Sequence, residues 1–178
     1  MRGALQPAID DLGTLQSSLG LNAVERIHLT LHFLGHLPVP DIERLTPRVA
    51  RAVAQHHRMR LSVHGVGAFP SFGRPQVLWA GVAGDDLTGL TGLQRALGQA
   101  LASAGIPLEQ KEPFHPHLTL ARVRRPIRGA GRKRLADWKA HWQDVEFGKL
   151  PVRDVRLMRS QLGAGPPRYS VLQTFSLQ

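Results

Sequence analysis

The chain has no cysteine, which excludes disulfides and thiolate metal sites and fits a reducing cytoplasm. Acidic residues are scarce: 13 Asp and Glu stand against 23 Lys and Arg, for a formal net charge of +10. Such a surface favours polyanionic partners, nucleic acid first. No apolar run is long enough to span a bilayer. The opening MRGALQPAIDDLG, with an early Pro7 and paired aspartates, lacks the character of a signal peptide. Walker-type, G-x-G-x-x-G and G-x-S-x-G stretches are all absent, so ATP-driven ligation and serine hydrolysis have no support. What remains is a 178-residue chain, 42% hydrophobic and 20% charged, a composition that suits one globular domain, cytoplasmic and monomeric by expectation.

Periodicity predicts alternating helices and strands. Residues 4–19 read as a helix stopped by Gly20, with Pro7 in its first turn. Residues 27–34 (IHLTLHFL) alternate as a strand. Helices are expected over 41–56 and 85–104, with Pro47 tolerable only at a kink or an end. Strands are expected over 59–69, 76–82 and 117–123. A basic loop, 124–134, leads into a short helix over 135–141. Two strands, 152–159 and 169–177, close the chain around a turn at Gly163–Pro167. The mixture points to an α+β or α/β architecture.

His-Leu-Thr-Leu occurs twice, at 28–31 and 117–120. Side chains alternate along a strand, so His28 and Thr30 share one face, as do His117 and Thr119. The leucines of each copy then turn toward the core. If a pseudo-twofold relates the halves, two imidazoles and two hydroxyls line one cleft. One imidazole can accept a proton from water while the other donates one to a leaving oxygen. The hydroxyls can hydrogen-bond phosphoryl oxygens where charge builds. Such a set suits phosphodiester chemistry without a metal or other cofactor.

HLTLHFLG at 28–35 and FHPHLTLAR at 114–122 resemble the paired motifs of the 2H phosphoesterase superfamily. The similar branch is that of the RNA 2′,3′-cyclic phosphodiesterases, also called LigT-like or 2′-5′ RNA ligase proteins. VHGVGAFPSFGRPQVLWAGV at 63–82 and LMRSQLGAGPPRYSVLQTFSL at 157–177 extend the likeness over nearly the whole chain. The resemblance implies a single bilobal α+β domain over 1–178. Its two pseudo-symmetric lobes, each an antiparallel sheet backed by helices, would face across a central cleft. It implies hydrolysis of terminal 2′,3′-cyclic phosphates on RNA or nucleotides to 2′-phosphates, with 2′-5′ ligation as a further activity. Carried over by motif position, His28 and Thr30 form the first pair and His117 and Thr119 the second, with both threonines on the phosphate. Either histidine can serve as the acid. The assignment adopted gives His28 the leaving 3′ oxygen and His117 the water, roles that exchange in the ligation direction. Relatives begin with a strand resembling Arg-Leu-Phe-Val-Ala, and no such strand is expected here ahead of the first helix, which motivates a second reading as a catalytically silent module holding RNA ends or nucleotides.

Other residues carry weaker signals. His28, His32 and His36 could be read as H-x₃-H-x₃-H ligands of a metal-dependent hydrolase, but the segment reads as a strand and no carboxylate or cysteine completes the set. His32 otherwise lines the cleft or belongs to an ordinary polar face. Strand parity puts Arg122 opposite His117, so it reaches a phosphate only where the strand ends or bulges. The basic run Arg124, Arg125, Arg128, Arg132, Lys133 and Arg134 either tracks an RNA backbone or is a solvated loop. Phe114 either stacks a base or packs in the core. Tyr169 matches a tyrosine of the relatives' last strand and is a substrate-binding candidate. Trp79, Trp138 and Trp142 are expected to pack in the core or under helices.

Overall fold

Alternation decides the central strands. Along β2 (Met59–Phe69) Met59, Leu61 and Val63 are buried while Arg60 and His64 are exposed. Along β3 (Val77–Ala83) Leu78, Ala80 and Val82 are buried. The structure, a computed structural model, describes residues 2–108, 113–161 and 168–178. They fall into two compact units.

The first unit runs to Leu31 and adds Arg60–Leu87 and His115–Leu150. It contains a five-stranded sheet in the order β1-β4-β3-β2-β5, where β1 is Leu19–Leu21, β4 is His117–Val123 and β5 is Glu146–Val152. The β1–β4, β4–β3 and β3–β2 pairs are antiparallel. Helices α1 (Arg2–Leu12) and α4 (Ala130–Trp142) pack on each other. Leu5, Ala8, Ile9 and Leu12 of α1 and Leu135 and Trp138 of α4 are buried. The Trp138 indole N–H donates to the Ala8 carbonyl at 2.8 Å, and that of Trp142 to the Asp11 carboxylate at 2.9 Å. The buried Trp138 indole thus keeps its hydrogen bond.

The second unit comprises His32–Met59, Thr88–Phe114 and Pro151–Gln178. It contains α2 (Val39–Val53), nearly all of α3 (Leu87–Ser103) and the antiparallel pair β6 (Asp154–Gln161) and β7 (Arg168–Ser176). Leu90, Leu93, Leu97 and Leu101 form the buried stripe of α3 at helical spacing. On α2 the stripe is Leu45, Val49 and Val53, and this helix packs on β7. The terminal Gln178 closes the unit: its N–H donates to the His56 carbonyl, and its own carbonyl accepts from the Arg58 N–H. Each unit thus joins an antiparallel sheet to two helices, in keeping with the expected α+β class.

Several elements depart from expectation. The first helix stops at Leu12 rather than at residue 19. Gly13–Leu15 forms a single 3₁₀ turn, and β1 follows. Glycine is a poor helix interior residue, costing about 1 kcal/mol against alanine, so Gly13, not Gly20, ends the helix. Helix α4 begins at Ala130, so Arg132, Lys133 and Arg134 are helical rather than in a loop. Strand β5 has no counterpart among the expected strands. Residues 27–34 form no strand; their ladder contact is one antiparallel bridge, Leu29 to Leu118. A 3₁₀ turn at Val24–Arg26 breaks the segment away from β1, and Leu29 and Leu31 are half-buried instead of fully in the core. The turn expected at Gly163–Pro167 lies outside the described residues, apart from the strands that flank it.

Because Trp138 fills the α1–α4 contact, Trp138→Ala should lower the unfolding free energy by about 3–5 kcal/mol. Urea denaturation measures this; a loss below about 1 kcal/mol would contradict the packing described.

Candidate active site

The second His-Leu-Thr-Leu copy lies on β4. Leu118 and Leu120 are fully buried, while His117 and Thr119 are half-exposed on the opposite face. The first copy runs beside it, and the bridge joins the same position of both copies, Leu29 to Leu118. An antiparallel pair carries a local twofold axis through its paired residues. Here that axis relates His28 to His117 and Thr30 to Thr119. The register sets His28 across from Thr119 and Thr30 across from His117. The two histidines become diagonal neighbours, roughly 7–8 Å apart between backbones, which leaves room for one phosphoryl group.

The imidazoles are held alike. His28 Nδ1 lies 2.8 Å from the Arg26 carbonyl oxygen, and His117 Nδ1 lies 2.7 Å from that of His115. A carbonyl oxygen only accepts, so Nδ1 carries the hydrogen in both rings. Nε2 is then the nitrogen that exchanges protons with a ligand. Burial holds the His117 imidazole below its ordinary value of 6.5; the His115 carbonyl bond opposes this, and the charges of His115 and Arg122 add to it. His117 is thereby neutral at pH 7 and equipped as a base.

A bulge settles where Arg122 points. Leu78 pairs with Ala121 and Trp79 with Thr119, so Leu120 has no partner on β3. Leu120 and Ala121 are consecutively buried and Arg122 is exposed. The extra residue reverses the parity of the strand end. Arg122 therefore falls on the His117–Thr119 face, as its pairing with Val77 and Gly20 also requires. Asn22 pins the bulge: its amide N–H donates to the Thr119 carbonyl at 2.8 Å, and its backbone N–H to that of Leu120 at 2.8 Å.

The wall of the site was not legible from the motifs. Phe69 and His117 meet edge to face with centroids 4.9 Å apart, and Trp79 lies 5.1 Å from Phe69 and 6.2 Å from His117. His115 packs on Trp79 at 4.9 Å. Trp138 is buried as expected, but Trp79 is half-buried on the site face. Gly81, which pairs with His117, adds no side chain there. Alternation within 76–82 already set Trp79 apart from Leu78 and Ala80; only the register against β4 places it beside His117.

Residues 4–164 match the 2′-5′ RNA ligase superfamily. The chain belongs to this superfamily. An RNA 2′,3′-cyclic phosphodiesterase of Aeropyrum pernix is 36% identical over 149 residues, which cover 83% of this chain and 80% of the relative. One from Archaeoglobus fulgidus is 32% identical over 177 residues, covering 98% and 93%. A crystal structure from Thermus thermophilus superposes with a TM-score of 0.76 at 29% identity, covering 99% of this chain and 91% of that one.

Within this superfamily member, the first unit gathers His28, Thr30, His117, Thr119 and Arg122. Arg124 and Arg125 follow at the end of β4, both backbone N–H groups donating to the Ser18 carbonyl. Phe114 and Tyr169 belong to the second unit. Phe114 is half-buried and lines, with His32 and Gln94, an open depression of about 380 Å³. Tyr169 is exposed on β7 opposite Ser160. His32 Nε2 donates to the Gln94 carbonyl at 2.8 Å. Among the described residues no three His, Cys, Asp or Glu side chains are grouped as metal ligands, so His28, His32 and His36 do not form the set considered above. No described helix is long and apolar enough to cross a membrane.

NMR titration of the imidazoles should find His117 protonating below 6.5, and Arg122→Ala should raise its midpoint by removing a positive charge from the same face. An unchanged midpoint in the variant would place Arg122 away from His117.

Proposed function

We propose that this chain opens 2′,3′-cyclic phosphates at RNA ends to 2′-phosphates by metal-independent acid–base catalysis on two histidines. The observation that carries the reading is the matched pair of imidazoles, related by the Leu29–Leu118 bridge and tied through Nδ1 to backbone carbonyls. The names of the relatives supply the substrate class.

In the reaction, water attacks phosphorus as His117 Nε2 takes its proton. The bond from phosphorus to the 3′ oxygen breaks, and His28 Nε2–H protonates that oxygen. The products are a 2′-phosphate monoester and a free 3′-hydroxyl. Solvent then carries a proton from His117 back to His28. Thr30 and Thr119 donate hydrogen bonds to the non-bridging oxygens, and Arg122 offsets the charge that gathers on them. The burial of His117 supports its role as base, because a depressed pKa keeps it unprotonated. With a 5′-hydroxyl in place of water the same steps give a 2′-5′ linkage, and the reverse reaction exchanges the two roles.

The test is turnover of a nucleoside 2′,3′-cyclic phosphate in excess EDTA, with the product identified. The 2′-phosphate is expected, and His28→Ala or His117→Ala should each lower kcat by about 10²–10⁴-fold. The acid limb of kcat/KM should lie below the ordinary imidazole range, since activity rises as His117 loses its proton. Activity abolished by EDTA would favour a metal-dependent hydrolase. Saturable binding without product would favour a silent binding module.

A further inference from the structure

Beyond Arg122, the catalytic face carries a second arginine whose position is fixed by a glycine. Gly20 pairs with Arg122 across β1 and β4, so it faces the same way as His117 and Thr119. The Arg124 guanidinium lies against it: a β-carbon added at Gly20 would sit 2.5 Å from Arg124 Nε, 2.8 Å from Cζ and 2.9 Å from Nη2. The Arg124 backbone is held too, its N–H donating to the Ser18 carbonyl at 2.8 Å. The Arg124 guanidinium therefore lies on the same face as His117, Thr119 and Arg122, at the β1 position that pairs with Arg122. Among the described residues the ion pairs are Arg44–Asp41, Lys149–Glu146 and Arg156–Asp154, and none engages Arg122 or Arg124.

Charge counting says what such a group is for. A cyclic phosphate diester carries one negative charge, and Arg122 already answers it. A second fixed cation on that face calls for a second anion. A mononucleotide substrate has none, whereas an RNA end has the phosphodiester on the 5′ side of its terminal nucleoside.

We infer that Arg124, seated on Gly20, binds the phosphodiester next to the reacting one and makes the site selective for oligoribonucleotide ends over mononucleotides. This rests on the cyclic phosphodiesterase reading given above. The selectivity is built from a missing side chain, because any β-carbon at residue 20 displaces the guanidinium. Gly20 has ordinary strand geometry and the displaced atoms are the end of a flexible side chain, so Gly20→Ala leaves the fold intact.

The experiment compares kcat/KM for a short oligoribonucleotide ending in a 2′,3′-cyclic phosphate with that for the matching nucleoside 2′,3′-cyclic phosphate. It is run on the unaltered protein, Arg124→Ala and Gly20→Ala. The unaltered protein should favour the oligomer, and both variants should lower the oligomer-to-mononucleotide ratio about tenfold or more, the size of one charge-assisted hydrogen bond. Added salt should erode the preference of the unaltered protein and leave the variants' ratios flat. A ratio unchanged in Arg124→Ala, or equal losses on both substrates, would overturn the inference while leaving the phosphodiesterase reading in place. Absence of turnover on either substrate by the unaltered protein would overturn that reading and the inference with it.

Discussion

A single backbone bridge, Leu29 to Leu118, sets the geometry of the whole site. Because the pairing is antiparallel and joins equivalent positions of two identical tetrapeptides, it imposes a local twofold axis on them. Every later feature follows that axis. The histidines become diagonal neighbours, each faces the other copy's threonine, and both rings bond to the carbonyl two residues earlier. The leucines anchor the arrangement, with Leu118 and Leu120 fully buried beneath the polar face.

The symmetry is local, and its breaking has chemical consequences. His117 sits in a continuous strand, walled by Phe69, Trp79 and His115, and burial depresses its pKa. His28 follows a 3₁₀ turn on a segment held by one bridge and is exposed. Two side chains of one type thus meet different environments, which separates acid from base in the proposed reaction. The β4 bulge adds a second asymmetry by bringing Arg122 onto the His117 face on one side only.

The paired motifs, the strands over 59–69 and 117–123 and the later helices were legible in the sequence because each rests on local periodicity. Gly13 as the true end of α1 was obscured by apolar residues that keep helical spacing through Leu15 and Leu19. The first motif reads as a strand because strand patterning reports the faces of a segment, not whether a partner lies beside it; here it finds one bridge. Arg122 shows the limit most clearly. Parity alone put it on the wrong face, and the parity rule fails where Asn22 holds one extra residue in the strand. Phe69 and Trp79 needed register between strands distant in sequence, which no single-segment pattern encodes.

The central claim is that both imidazoles address one phosphorus. A crystal structure of the chain with a nucleoside 2′-phosphate tests it most directly. The account predicts a single phosphoryl group with His28 Nε2 and His117 Nε2 each at hydrogen-bond distance, roughly 2.6–3.2 Å, from the phosphoryl oxygens or the 3′-hydroxyl. A phosphoryl group held by one histidine, with the other ring turned away, would contradict it.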